Sequence, residues 1–97
     1  MKDKKYIDKV IEHLVKGTKI DYENKEVNTP FHFSSYKIIP SMFHSTPSFY
    51  LLLNPPHSPS PSFFTYCRRF YGLTKDEILY IWKEYRNIIN GKIENGQ

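Results

Sequence analysis

The apolar positions of the chain fall into two helical stripes separated by a long stretch with no helical period. Tyr6, Ile7, Val10, Ile11 and Leu14 recur at the three-and-four spacing that lines one face of a helix. Asp3 is suited to cap its start, Glu12 and Lys16 form a favourable i,i+4 pair, and Gly17 can supply a left-handed final residue. The pattern predicts a helix over residues 4–16.

Near the other end, Ser62 can cap a short helix over residues 63–71, with Phe63, Tyr66, Cys67 and Phe70 on its apolar face. Gly72-Leu73 breaks it. Thr74-Lys75-Asp76-Glu77 has the form of a capping box, in which Thr74 and Glu77 satisfy each other's free backbone N–H groups. Ile78, Ile81, Trp82, Tyr85, Ile88 and Ile89 then make a stripe that predicts a helix over residues 75–90, closed by Asn90-Gly91.

Between the helices the signals are weaker. Ile20 and Tyr22 alternate with Asp21, Glu23-Asn24-Lys25 has turn chemistry, and Val27 follows, so residues 19–39 read as short extended pieces. Phe31-His32-Phe33 and Tyr36 to Ile39 are further pieces of the same kind. The stretch from Pro30 to Ser62 holds all seven prolines and all eight serines, which argues against regular helix or internal strand. Phe31, Phe33, Tyr36, Phe43, Phe49 and Tyr50 are interleaved with them, and disordered linkers lack such aromatics. Residues 40–62 therefore read as an irregular strap pinned by its rings, with a PPII-like segment from Pro55 to Pro61.

These elements imply one small, mainly α domain, with a small α+β arrangement as the variant. The N-terminal helix packs on a C-terminal helix-turn-helix hairpin and the strap wraps the outside. A chain of 97 residues suits a single domain, though the irregular share leaves a thin core that a partner or second copy would complete.

Composition adds origin and compartment. The chain has no alanine and eleven lysines against three arginines, a bias expected of A/T-rich codons and of a low-GC genome such as that of a phage or virus. Cys67 is the only cysteine, which excludes an intramolecular disulfide and favours a reducing compartment: the cytoplasm, or the host cytoplasm if the chain is viral. The longest apolar run, Phe49 to Leu53, is far below the roughly 18 residues of a membrane span. Lys2 to Lys5 is not followed by the apolar stretch of a signal peptide.

Catalytic constellations are missing from the pattern. Cys67 has four histidines as conceivable partners, yet it sits on an apolar helical face where a thiol behaves as a small hydrophobe. His13, His32, His44 and His57 lack the short paired spacings of a zinc site, and the glycines form no phosphate-cradling loop. Glu23 and Glu26 flank a turn without supporting context. Thr29-Pro30, Thr46-Pro47, Ser58-Pro59 and Ser60-Pro61 match proline-directed phosphorylation sites, a weak signal in so Ser/Pro-rich a stretch. No enzymatic activity, metal or cofactor is expected.

Two binding readings compete. The net charge is +4, and no Asp or Glu occurs between Glu26 and Asp76. Gly72, Leu73 and Ile78 match the order of a DNA-reading helix-turn-helix, which would direct Thr74, Lys75, Leu79 and Lys83 to a major groove, with Arg86 along the same edge as Lys75 and Lys83, and Arg68 and Arg69 adding phosphate contacts. Against it, Arg68 stands where a small residue is usual and Asp76 would repel phosphate. The favoured expectation is a non-enzymatic protein-interaction or structural module, acting on a protein partner or on itself. Phe43, Phe49, Tyr50 and Leu79 are its candidate contacts.

Overall fold

The computed structural model describes residues 3–31, 36–40, 49–51, 59 and 61–95. The order of elements is α1 (Lys4–Lys16), β1 (Lys19–Asp21), β2 (Glu26–Asn28), β3 (Tyr36–Pro40), β4 (Phe49–Leu51), α2 (Pro61–Tyr71) and α3 (Lys75–Asn95). The protein is mainly helical: α1 and α2 both pack on α3, as the two stripes require.

α1 begins as its capping signal demands, with Asp3 Oδ1 accepting from the Tyr6 N–H at 2.9 Å. Glu12 and Lys16 pair at 2.7 Å on the exposed face. Gly17 does not adopt the expected left-handed conformation; its φ is −79°. The glycine answers a different need. A Cβ there would sit 3.2 Å from Pro30 Cγ and 3.3 Å from the His13 carbonyl, so the missing side chain lets Pro30 approach.

α2 starts two residues before the expected boundary, and Ser62 lies inside it rather than capping it. Pro61 is already compatible with the first helical position, where no N–H is needed and φ is preset. The capping box before α3 forms in both directions: Glu77 Oε1 accepts from the Thr74 N–H at 2.8 Å, and Thr74 Oγ1 from the Glu77 N–H at 3.4 Å. Gly72 takes the left-handed φ of 61° that reverses the chain between the helices.

α3 does not stop at Asn90-Gly91 but continues to Asn95. A glycine inside a helix costs about 1 kcal/mol against alanine, whereas burying an isoleucine is worth about 1.5–3 kcal/mol. Ile93, fully buried and one turn beyond Ile89, tips that balance toward helix.

The strands form an antiparallel meander in the order β1-β2-β3-β4. Ile20 is opposite Val27, and the turn Tyr22 to Lys25 is held by Asp21, which accepts from the Asn24 N–H and side-chain amide at 3.1 and 2.8 Å. Lys25 closes it at a positive φ of 56°. The expected irregular strap of 40–62 is corrected in part, because Phe49–Leu51 forms β4, paired with Ile38 to Pro40 and lying against α3. Three strand-favouring residues suffice for this, and the one strand proline, Pro40, is confined to the strand's end. The PPII-like reading of Pro55 to Pro61 and the extended reading of His32-Phe33 fall mainly outside the described residues.

Ile7, Val10, Ile11 and Leu14 of α1 meet Ile78, Ile81, Trp82, Tyr85, Ile89 and Ile93 of α3, with Phe63 and Cys67 of α2, Leu73, Val27 and Phe31 completing the core. Phe63 is its aromatic centre, edge-on to Phe31 (4.9 Å between centroids) and to Trp82 (4.7 Å). Two expected core positions are corrected: Phe70 is 69% exposed and Ile88 39% exposed. Both have the right azimuth on their helices, but each sits at the rim of a groove rather than in the closed core.

Candidate interaction surface

The outward side of α2 gathers rings and cations. Phe70 stacks on Tyr66 with 4.5 Å between centroids and 32° between planes, and Tyr66 in turn contacts Tyr71 and Phe31. Phe31, Pro61, Ser62, Tyr66, Arg69 and Phe70 line a shallow groove of about 420 Å³, with no acidic residue in its wall. Helix periodicity explains the grouping, because Tyr66, Arg69 and Phe70 are three and four residues apart. Arg69 is exposed beside the stacked pair, while the Arg68 guanidinium lies 4.7 Å over the Phe64 ring.

The residues expected to read nucleic acid are thus divided. Arg68 and Arg69 share the α2 face. Lys75 and Lys83 are exposed on α3, and one turn beyond Lys83 lies the half-buried Arg86, whose ordinary pKa is lowered by desolvation. Thr74 is taken up by the capping box. Glu77 is buried, its carboxylate held in the same box. Along α3, Lys75, Lys83, Arg86 and Lys92 are balanced by Asp76, Glu77, Glu84 and Glu94, so the helix is formally neutral. α1, α2 and β4 all lie against α3, and Asp76, Leu79, Tyr80, Lys83 and Asn87 are exposed along its remaining face.

Of the expected partner contacts, Leu79 is 39% exposed. Phe49 and Tyr50 lie in β4, with side chains outside the described residues, as is Phe43 entirely.

Sequence reasoning missed a second groove. Thr18, Ile20 and Tyr22 form one wall and Asn87, Ile88 and Lys92 of α3 the other, around about 630 Å³. The Tyr22 hydroxyl donates to the Lys92 carbonyl at 2.9 Å across it. A smaller groove on the other side of Ile88 reaches Ile11 and Val15 of α1. No local pattern signals it, because its walls come from β1 and α3 together.

Groups with catalytic potential are placed otherwise. Cys67 is fully buried and burial pushes its thiol up to about 12, so it is a neutral core side chain at neutral pH. Tyr71 is likewise raised to about 12, mainly by burial and then by Tyr66. Among the described residues no three His, Cys, Asp or Glu side chains gather to hold a metal. Nor is any described helix long and apolar enough to cross a membrane. Thr29, the one described Ser/Thr of the Ser/Thr-Pro dipeptides, is buried, and Trp82 is 2% exposed in the core rather than at a surface. No family model, characterised protein or solved structure matches the chain.

Proposed function

We propose that the protein is a non-enzymatic protein-interaction module that docks a partner on the α2 face of Tyr66, Arg69 and Phe70. The observation that carries this is Phe70: a phenylalanine 69% exposed at the rim of a groove, stacked on a second ring and next to an arginine. Tyrosine and arginine are enriched among residues that dominate binding energy, and a ring already held by stacking loses little freedom on docking. Stacking on Tyr66 uses one face of the Phe70 ring and leaves most of it open to a partner.

A photo-crosslinking residue in place of Phe70, introduced in the native cell, identifies the partner; affinity is then measured with that partner purified. Phe70→Ser and Arg69→Ala should each weaken binding by about thirtyfold, the scale of a hot spot. Lys83→Ala should leave it unchanged. Equal affinity of all three variants would refute the reading.

A second reading has its own support. A groove whose described wall holds stacked rings and Arg69 but no acidic residue, with Arg68 on the same helix, suits single-stranded nucleic acid, whose bases stack on aromatic faces. Anisotropy against single- and double-stranded DNA over a salt series separates the two. Single-strand binding that falls steeply with salt and disappears in Phe70→Ser would favour this second reading.

A further inference from the structure

We infer that β1 is a self-association edge, pairing antiparallel with β1 of a second copy about a two-fold axis through Ile20. β1 stands at the end of the meander, so among the described residues one side of its backbone has no strand neighbour. Such an edge is a template for a further strand.

The three residues of β1 are self-complementary in this arrangement. A two-fold axis at Ile20 sets Ile20 against its own copy, Lys19 against Asp21 of the second copy, and Asp21 against Lys19 of the second copy. Strand alternation keeps these roles apart. Ile20 shares a face with the buried Val27 opposite it, whereas Lys19 and Asp21 share the outer face. A cross-strand pair of opposite charges on one face is the favourable case, and the two-fold axis supplies it twice.

The row that Asp21 belongs to adds an independent reason. Asp21 is opposite Glu26 on β2, and Glu26 is opposite Lys37 on β3 in register. Two acidic residues directly opposite one another are unfavourable, and β3 places a lysine on only one flank of the pair. Lys19 of the second copy falls on the other flank, so the row reads lysine, aspartate, glutamate, lysine across the joined sheet. Hydrogen bonds from Asn24 hold the Asp21 carboxyl below its ordinary range, which keeps it charged for this contact.

The groove beside β1 gains an occupant from the same operation. Its strand wall is Thr18, Ile20 and Tyr22, and Ile88 is 39% exposed on its helical wall. Ile20 of the second copy enters at the two-fold axis, and the register carries Thr18 toward Tyr22 of the second copy. The contact therefore covers apolar surface on the face turned to α3 and matches charge on the other.

Sedimentation equilibrium from micromolar to millimolar chain, with circular dichroism to confirm folding, tests the proposal. The wild type should be dimeric at the upper end. Lys19→Asp alone sets Asp against Asp21 at both ends and should weaken the dimer by about tenfold or more; Asp21→Lys should do the same with lysines. An equimolar mixture of these two variants restores both charge pairs and should give a heterodimer tighter than either variant's homodimer. A monomeric wild type at millimolar concentration, or a dimer indifferent to Lys19→Asp, would overturn the proposal. Phe70→Ser should leave the dimer intact, and its loss there would move the contact to α2 and equally overturn the β1 assignment.

Discussion

The hydroxyls of Thr18 and Tyr85, 67 positions apart in the chain, lie 2.7 Å from one another. Thr18 Oγ1 also donates to the Leu14 carbonyl at 2.7 Å, which uses its only proton. The phenol of Tyr85 is therefore the donor in the shared bond. One threonine thus closes the end of α1 and satisfies the polar tip of a fully buried α3 side chain.

This bond should be measurable as a coupling. Tyr85→Phe is expected to cost about 1 kcal/mol, and Thr18→Val about 1–3 kcal/mol because it takes the acceptor from a buried hydroxyl. The double variant should cost less than the two summed, by about 0.5–1.5 kcal/mol. Urea denaturation of the four proteins gives the cycle, and strict additivity would mean the bond contributes nothing.

Two glycines should respond to alanine with opposite signs. Gly91 lies within α3, and a Cβ there would meet nothing within 4 Å. Gly91→Ala should stabilise by about 0.5–1 kcal/mol. Gly72 has equal space but a φ of 61°, so Gly72→Ala should destabilise by about 1 kcal/mol or more. Thermal melts of both variants decide it.

Alkaline pH should loosen the fold through Cys67. Its thiol titrates ordinarily at 9.0, but in the folded chain only at about 12. Between those values the unfolded chain releases a proton that the folded chain retains, so stability is intact below 9.0 and declines as pH rises toward about 12. Tyr71, raised from 10.0 to about 12, adds a second loss that begins later. In Cys67→Ala the absolute stability should be lower, with a flatter curve between pH 9 and 10. Denaturant midpoints across this range test the slope, and unchanged curvature would exclude Cys67 as its source.

Phe63 and Phe70, seven residues apart on α2, should differ widely in what they contribute. Phe63→Ala removes a fully buried ring and should cost about 3–5 kcal/mol. Phe70→Ser loses chiefly the stacking on Tyr66 and should cost about 0.5–1.5 kcal/mol. Chemical denaturation distinguishes them, and similar losses would show that Phe70 belongs to the core.

The contrast between these two rings marks how far the sequence carried. Ile7, Val10, Ile11 and Leu14, the Thr74-Glu77 capping box and the α3 stripe were legible because each depends on neighbours within a turn or two. Phe70 has the same periodicity as Phe63, but periodicity gives a direction and not what stands opposite. Gly91 was read as a stop because its local cost is visible in sequence, while the burial of Ile93 that outweighs it is tertiary. Phe49–Leu51 were hidden by the prolines around them, since pairing with Ile38 to Pro40 cannot be inferred from either segment alone. Of the candidate residues, Arg68 and Arg69 are exposed on α2; the groove beside Ile88 requires β1 and α3 together, and no local pattern reports it.

The packing of α1 on α3 carries a consequence for synthesis. α1 leaves the ribosome first, yet the surface that buries Val10 and Leu14 is made last. Until Ile78 to Ile93 emerge, the N-terminal stripe lacks the helix it chiefly packs on and keeps apolar surface exposed. The strands can pair locally in the meantime, but the helices must wait for contacts that span the chain, which slows folding relative to a bundle of neighbouring helices. Premature termination before α3 should therefore yield a chaperone substrate and not a smaller folded domain.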